Sequence, residues 1–353
     1  MRWEENIRKV VPYVPGEQPV GERLVKLNTN ENPYPPSPSV EKAIRETDID
    51  KLRRYPDPVI KELTDALSEY YHVKPSQVFV GVGSDDVIGM AFLTCFNSDK
   101  PILFPDITYS FYDVWADLYR IPYQTMPLDE NFHITLEDYI GKECGGIIFP
   151  NPNAPTGELV TIDFIEKIVA ANPDVVCMVD EAYIDFGGES ALPLVEKYDN
   201  LLVIQTFSKS RSLAGARIGF AIGNEKLIKY MQDVKFSYNS YTMTGIIIHL
   251  GALTLQDEEY FQSTRKKVID VREYSKKRLS ELGFTFGDSK ANFIFAKHGE
   301  KNAKEIFEKL KERQIYVRYF NKERIDNYLR ISIGTREEMD ILFEALGEIL
   351  GCD

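Results

Sequence analysis

The chain of 353 residues is longer than one hydrophobic core usually serves, so two domains are expected. A formal net charge of −13 argues against nucleic acid or an anionic membrane as the main partner. The cysteines show no CxxC spacing and the histidines are scattered, which indicates neither a metal site nor a disulfide framework. No apolar signal core begins the chain and no apolar stretch is long enough to span a bilayer, so a cytoplasmic protein is predicted.

Residues 1–37 are predicted to form an extended N-terminal arm that lies over another domain or subunit. Prolines recur throughout it and exclude a long helix. The sequence LNTNENP at 27–33 is either a turn-rich loop or the edge of a substrate site. Helices are predicted at 39–46 and 58–71, on either side of the basic and aromatic turn RRYP at 53–56.

Strands and helices alternate through residues 38–256, the predicted large domain. Helices are expected at 86–96 and 161–171, and apolar runs predict strands at 77–80, 101–104, 145–149, 175–179, 201–205 and 217–222. The alternation indicates an α/β fold whose mainly parallel central sheet is covered by helices on both faces. In such sheets, ligands bind beyond the carboxyl ends of the strands.

The last part of the chain, residues 257–353, is predicted to be a smaller α+β domain. It begins with a long charged helix at 257–282, which is suited to connecting the domains. Strands are predicted at 292–296, 315–319 and 328–333, and helices at 302–313 and 336–349.

A glycine-rich join between strand and helix, GVGSDD at 81–86, has the properties of a phosphate cradle. Glycines let the backbone approach a ligand, and the helix start offers free N–H groups and a positive dipole. The join matches neither the dinucleotide fingerprint nor the Walker A loop. A structural tight turn is the alternative interpretation.

The stretch TFSKSRSLAGAR at 206–217 places Lys209 between hydroxyl side chains at the end of a buried strand. Arg217 follows eight residues later. Hydroxyls and a guanidinium suit a phosphate, and a lysine beside them can carry an imine to an aldehyde cofactor. The alternative is that Lys209 and Arg217 are ordinary solvated charges.

Pyridoxal phosphate (PLP) has both an aldehyde and a phosphate, and the chain contains a candidate residue for each group of this cofactor. Lys209 can form an imine with the aldehyde, and Asp180 can keep the pyridine nitrogen protonated. Tyr109 offers an aromatic platform, and Tyr183 with an Asn offers donors to the phenolic oxygen. The phosphate donors are predicted to be Ser84, Asp85, Thr206, Ser208 and Arg217. Asp180 as a helix cap, and the tyrosines as packing residues, are the alternatives for single positions.

Together these motifs resemble the fold-type I, PLP-dependent aminotransferases of class I/II. The residues that carry the resemblance are GVGSD (81–85), NAPTG (153–157), DEAY (180–183), and Ser208-Lys209 with Arg217. Within the group the chain is most similar to histidinol-phosphate aminotransferases, through LNTNE (27–31), RYP (54–56), Arg318 and LRISIGTREE (329–338). The resemblance implies the three-layer PLP-transferase fold, together with the smaller α+β domain.

The resemblance also implies a homodimer with its active sites at the subunit interface, where Tyr55 reaches the cofactor phosphate of the other subunit. One position departs from the family pattern. The family has Asn-Pro-Thr-Gly, with the Asn bonding the phenolic oxygen, whereas this chain has Ala154 there. The neighbouring Asn153 is the predicted substitute, and Tyr183 is the alternative donor.

The implied activity is transfer of an amino group between histidinol phosphate and 2-oxoglutarate, giving glutamate, in histidine biosynthesis. Lys209 acts as general base and acid. Arg330 matches the arginine that binds carboxylates, Arg318 suits the substrate phosphate unless it is a surface ion pair, and Tyr13 and Asn30 complete the pocket. Aromatic amino acid transamination, threonine-phosphate decarboxylation and a non-catalytic PLP-binding module are the alternative functions.

Overall fold

The computed structural model describes residues 3–21 and 24–351. The strands in this part of the chain are β1 (Val25–Lys26), β2 (Val78–Gly81), β3 (Ile102–Pro105), β4 (Tyr123–Met126), β5 (Gly146–Pro150), β6 (Cys177–Asp180), β7 (Leu201–Thr206), β8 (Gly219–Gly223), β9 (Phe284–Phe286), β10 (Phe293–His298), β11 (Ile315–Tyr316), β12 (Arg318–Tyr319) and β13 (Leu329–Ser332). The α-helices are α1 (Pro38–Arg45), α2 (Lys61–Tyr71), α3 (Ser84–Cys95), α4 (Tyr112–Tyr119), α5 (Ile162–Ala171), α6 (Glu225–Tyr238), α7 (Gly245–Gln256), α8 (Glu258–Glu281), α9 (Ala303–Glu312) and α10 (Arg336–Leu350).

The central sheet has the strand order β2-β8-β7-β6-β5-β3-β4. Five strands run parallel to one another: β4, β3, β5, β6 and β7. Strand β8 runs antiparallel to both β7 and β2. All residues of β2, β3 and β5 to β8 are buried, which is why these strands are apolar runs rather than alternating patterns. The predicted α/β fold with a mainly parallel sheet is confirmed.

Successive residues of the central strands enter different hydrophobic cores, because side chains alternate between the two faces of a sheet. Ile147 and Val203 belong to a first core on one face, which also contains Leu63 of α2. Ile148 and Leu202 belong to a core on the other face, where Phe92 of α3 packs. The sheet is therefore the middle of three layers.

A second, antiparallel sheet has the strand order β12-β13-β10-β9. Its core contains Val268 of α8, Ile306 of α9 and Leu342 of α10. The N-terminal arm contributes to the same core, since β1 pairs in parallel with β11 and Leu27 is buried. The domain boundaries at 37/38 and 256/257 stay a prediction.

The structure differs from the predicted elements in several places. The strand predicted at 315–319 is two short strands, of which β11 pairs with the arm and β12 with β13. Helices α4 and α6 and strands β1, β4 and β9 were not predicted. Strand β4 lies at the sheet edge with its first three residues exposed, so it lacks the apolar run by which the other strands are recognised. Arg217, predicted to begin a strand, instead has a left-handed backbone with φ of 54° just before β8.

None of the described helices is long and apolar enough to cross a bilayer.

Gly219 allows β8 to pack against the turn that follows β2. A Cβ atom at this position would lie 2.3 Å from the backbone carbon of Gly83 and 2.3 Å from the nitrogen of Ser84. We expect Gly219→Ala to lower the free energy of unfolding by about 1–3 kcal/mol, since the backbone has to move. Gly215→Ala is the matched control, because a Cβ there meets no atom within 4 Å. Urea denaturation measures both, and equal stability of the two variants would contradict the expectation.

Candidate active site

The loops that carry the predicted site residues meet at one edge of the central sheet. The carboxyl ends of β3, β5, β6 and β7 lie there because these strands are parallel. Strand β2 is antiparallel to β8, which is antiparallel to β7, so the carboxyl end of β2 lies at the same edge. The reversal of β8 also brings its amino end there, and with it Arg217.

Asp180 ends β6 and is buried. Its carboxylate accepts hydrogen bonds from the Tyr112 hydroxyl at 2.9 Å and from the Ala182 N–H at 3.2 Å. Burial raises the pKa of Asp180 to about 6, although these two hydrogen bonds lower it. Within the described part of the chain Asp180 forms no ion pair, so its site is suited to a cationic partner.

Lys209 lies just beyond the end of β7. Its Nζ donates to the Thr29 carbonyl of the arm at 3.1 Å and lies 5.7 Å from the centre of the Tyr183 ring. Asn32 holds the backbone of the lysine loop, donating to the carbonyls of Lys209 and Ser210 at 3.0 and 3.1 Å. The arm thus contacts both the side chain and the backbone of the lysine.

The turn after β2 and the start of β8 form one polar pocket. Gly83, with φ of 88°, precedes α3, so the first N–H groups of the helix have no intrahelical acceptor. Arg217 Nη2 lies 3.2 Å from a carboxylate oxygen of Asp85, and the Tyr109 hydroxyl donates to the other oxygen at 2.7 Å. A Cβ at Gly83 would lie 2.4 Å from Arg217 Nη2, so the guanidinium occupies space that only a glycine leaves open.

Thr206 is the last residue of β7 and is buried. Its hydroxyl contacts the Ile218 carbonyl at 3.1 Å and accepts from the Ser208 N–H at 3.1 Å. These contacts engage the hydroxyl within the turn, and the predicted contact of Thr206 with a phosphate stays a prediction. In this structure Thr206 supports the position of Ser208.

Asn153, the predicted donor to the phenolic oxygen, joins two loops of the site, and its contact with the cofactor stays a prediction. Its amide donates to the Ile107 carbonyl at 2.9 Å and to the Thr156 hydroxyl at 3.2 Å, and its oxygen accepts from Thr108 at 3.0 Å. Both amide hydrogens therefore join the loops after β3 and β5 in this structure. Tyr183 fits the donor role better, since its hydroxyl oxygen accepts from Asn30 at 3.0 Å and its own hydrogen stays available.

Asn30 joins the two sheets through hydrogen bonds. It is buried and has a left-handed backbone, with φ of 56°. Its amide donates to Tyr183, its oxygen accepts from the Ser332 hydroxyl at 2.8 Å, and its carbonyl accepts from Asn292 at 3.0 Å. Asn30 therefore positions Tyr183 against the second sheet.

Arg318 and Arg330 are directly opposite each other in the β12–β13 pair. Arg330 donates to the Asn28 carbonyl at 2.9 Å, its Nε is buried without a partner, and burial lowers the pKa of its guanidinium. Neither arginine forms an ion pair within residues 3–21 and 24–351. Like charges at opposed positions repel each other, so the pair favours an anion between them.

Tyr13 brings the arm to the same place. Its ring stacks on Phe111, with ring centres 4.2 Å apart. Burial raises the pKa of Tyr13, while Arg318 and Arg330 lower it and Asp85 raises it further. Tyr13 thus lies within electrostatic reach of both arginines and of the polar pocket.

Tyr55 is not brought to these residues within one chain. It is 83% exposed and its ring packs on Tyr241, with centres 4.7 Å apart. The prediction that Tyr55 acts in another subunit stays a prediction.

Comparison with known proteins identifies the family. The family model described as aminotransferase class I and II matches residues 22–346. The chain belongs to this family. A curated relative from Hydrogenovibrio crunogenus, named histidinol-phosphate aminotransferase 1, is 53% identical over 99% of this chain and 98% of its own length. One from Pseudomonas syringae pv. syringae, named histidinol-phosphate aminotransferase, is 52% identical over 98% of this chain and 99% of its own length.

Solved structures agree with the fold. The structure of histidinol-phosphate aminotransferase from Sinorhizobium meliloti in complex with pyridoxal-5′-phosphate has a TM-score of 0.83 and 24% identity. It covers 93% of this chain and 91% of its own. The class I and II aminotransferases depend on PLP, which is therefore the cofactor of this chain.

The residues present fit PLP. Asp180 is a buried carboxylate without a cation, and Lys209 Nζ is held only by the Thr29 carbonyl among the described hydrogen bonds. The glycine turn leaves the first N–H groups of α3 without intrahelical acceptors, next to Arg217. A carboxylate, an amine and an anion site at one sheet edge match the pyridine nitrogen, the aldehyde and the phosphate of the cofactor.

Two residues of this site were missed by the sequence analysis. Tyr112, which bonds Asp180, begins a helix that was not predicted. Asn32, which holds the lysine loop, lies in the sequence LNTNENP, where the density of asparagines was the available signal. Both act through tertiary contacts with residues more than 60 positions away.

The Tyr112 hydroxyl is expected to tune the charge of Asp180. The pKa of Asp180 is raised in the folded chain, so its carboxyl gains a proton as the pH falls through about 6, and PLP affinity falls with it. Tyr112→Phe removes a hydrogen bond that favours the carboxylate, so the loss of affinity should begin at a higher pH. Absorbance titrations of the cofactor-free protein with PLP from pH 5 to 8 measure this.

Tyr139→Phe is the control for this experiment. The Tyr139 hydroxyl is buried and has no hydrogen-bond partner among the described residues. Its removal should leave the pH profile of PLP binding unchanged. A Tyr112→Phe profile that coincides with that of Tyr139→Phe would show that the Tyr112 hydrogen bond does not control Asp180.

Proposed function

We propose that this protein is a histidinol-phosphate aminotransferase that transfers the amino group of histidinol phosphate to 2-oxoglutarate, giving imidazole-acetol phosphate and glutamate. The observation that carries the proposal is the opposed pair of Arg318 and Arg330, without a carboxylate partner in the described structure. Two guanidinium groups suit a phosphate dianion and still accept the carboxylates of the second substrate. The names of relatives about half identical over nearly the whole chain support the same substrate.

When bound, PLP supplies an electron sink next to the substrate carbon that loses its proton. Lys209 is proposed to hold the cofactor through its Nζ and then to move the proton as general base and acid. With PLP bound, Asp180 would keep the ring nitrogen protonated, Tyr109 would serve as the aromatic platform, and Tyr183 would donate to the phenolic oxygen.

The cofactor phosphate is proposed to bind at the start of α3. Ser84 and Asp85 contribute backbone N–H groups, while Ser208 and Arg217 contribute side chains. The Asp85 carboxylate would repel a phosphate, and its contacts with Arg217 and Tyr109 keep it engaged beside the pocket. Tyr55 of the partner subunit is proposed to complete the phosphate site.

A homodimer is part of the proposal. Aromatic side chains remain exposed in the chain: Tyr241, on which the Tyr55 ring packs, is 47% exposed, and Tyr238 is 70% exposed. Val11, Val14 and Val20 of the arm are also exposed. The division into an arm (1–37), a large domain (38–256) and a small domain (257–353), and a cytoplasmic location, are retained as proposals from the sequence.

A panel of amino donors tests the substrate. The purified holoenzyme is assayed with histidinol phosphate, phenylalanine and threonine phosphate, with 2-oxoglutarate as acceptor. We expect kcat/KM for histidinol phosphate to exceed that for phenylalanine by at least about 100-fold, since the arginine pair is matched to a dianion. Comparable values would assign the chain to aromatic amino acids, and carbon dioxide release from threonine phosphate would assign it to decarboxylation.

Arg318→Gln tests whether Arg318 binds the phosphate of the amino donor. We expect KM for histidinol phosphate to rise by about 30-fold or more, since a charge-assisted contact with the dianion is lost. The rise in KM for phenylalanine should be smaller, because its single carboxylate can still bind Arg330. Steady-state kinetics measure both, and an equal rise for the two donors would contradict the assignment of Arg318 to phosphate.

A further inference from the structure

The two proposed substrate arginines are joined by residues 320–328, a segment that leaves the second sheet and packs against the first core. Ile325 in the middle of this segment is 3% exposed and belongs to the first core. Tyr328 near its end stacks on Phe295, with ring centres 4.6 Å apart, and Phe295 belongs to the same core. Between Arg318 and Arg330, the chain therefore packs against the first core.

Arg324 is the polar attachment of this segment. Its Nη1 lies 2.9 Å from the Asp106 carboxylate, and its Nη2 donates to the carbonyls of Leu128 and Asp129, each at 2.8 Å. The backbone of Arg324 is left-handed, with φ of 67°, a conformation that is unfavourable for a side chain of this kind. Three acceptors therefore hold one guanidinium in one geometry.

Asp106 connects this attachment to the active site. Its other carboxylate oxygen accepts from the Leu128 N–H at 2.9 Å, so it also ties together the chain after β3 and after β4. Asp106 directly follows β3 and stands three residues before Tyr109. The contact of Arg324 with Asp106 therefore links the segment between the substrate arginines to the loop that carries the proposed ring platform.

We propose that Arg324 is a positioning residue that sets the place of Arg318 and Arg330 relative to the cofactor. The inference rests on the proposed function, since it assigns the arginine pair to substrate. Arg324 touches neither substrate nor cofactor in this arrangement. It acts by fixing the segment from which both arginines extend, so that an anion meets two guanidinium groups that are already in place.

A second arginine offers a matched control. Arg313 pairs with Glu348 at 3.2 Å, and its side chain is 37% exposed, as is that of Arg324. Arg313 follows α9 and Glu348 lies in α10, so this pair stays within the second part of the chain. Isolated exposed ion pairs of this kind contribute little. Arg313→Ala therefore removes the same chemical group without touching the link to Asp106.

The test compares Arg324→Ala, Arg324→Lys, Asp106→Asn and Arg313→Ala as PLP-loaded enzymes. Steady-state kinetics give KM and kcat for histidinol phosphate, and calorimetry gives the Kd of inorganic phosphate. We expect Arg324→Ala to raise both KM and this Kd at least about fivefold, with kcat changed less than about twofold. Arg324→Lys and Asp106→Asn should show intermediate increases, and Arg313→Ala should match the wild type.

The inference is overturned if Arg324→Ala lowers the thermal midpoint but leaves KM and the Kd of phosphate at wild-type values, since the residue would then be only structural. If Arg324→Ala does not fold, Arg324→Lys and Asp106→Asn decide by the same criterion. A wild-type enzyme that does not prefer histidinol phosphate would refute the proposed substrate instead. The ratio of phosphate Kd values between variant and wild type still reports on Arg324 in that case.

Discussion

The direction of the strands in the central sheet is the constraint on which the rest of this structure depends. The carboxyl ends of five parallel strands lie at one edge of the sheet, so the loops that follow them begin there. Strand β8 is reversed, so its amino end, with Arg217 just before it, lies at the same edge. Asp85 and Arg217, which are 132 positions apart in the chain, become neighbours for this reason. Ligand binding at such an edge is a general property of open α/β sheets.

Three charged groups of the site, Asp180, Arg318 and Arg330, form no ion pair among the described residues, whereas Arg217 pairs with Asp85. Asp180 is buried with two neutral hydrogen-bond donors, and the arginine pair has no carboxylate in the described residues. A buried charge without its counterion is unfavourable, and such sites are commonly where ligands bind. The cofactor ring is proposed to supply the missing cation, and the anionic substrate is proposed to supply the missing anion.

The arm gives the two sheets a shared set of contacts. Asn30 bonds Tyr183 on one side and Ser332 on the other, while Asn32 bonds the backbone of Lys209. The same arm forms β1 with β11 and places Tyr13 beside Phe111. A segment that the sequence marks only by its prolines and asparagines is therefore part of the active site's framework.

The sequence alone determined the α/β class, the mainly parallel sheet, the cofactor and the family, because buried apolar strands and their loop motifs are local in the chain. The motif around Lys209 needed no tertiary information to suggest a lysine beside a phosphate site. Only the tertiary structure decided what Asn153, Thr206 and Asn30 contact, because each is a polar group whose partner lies on another loop. The position of Arg324 on Asp106 is of the same kind, since a distance of 218 residues leaves no trace in a local pattern.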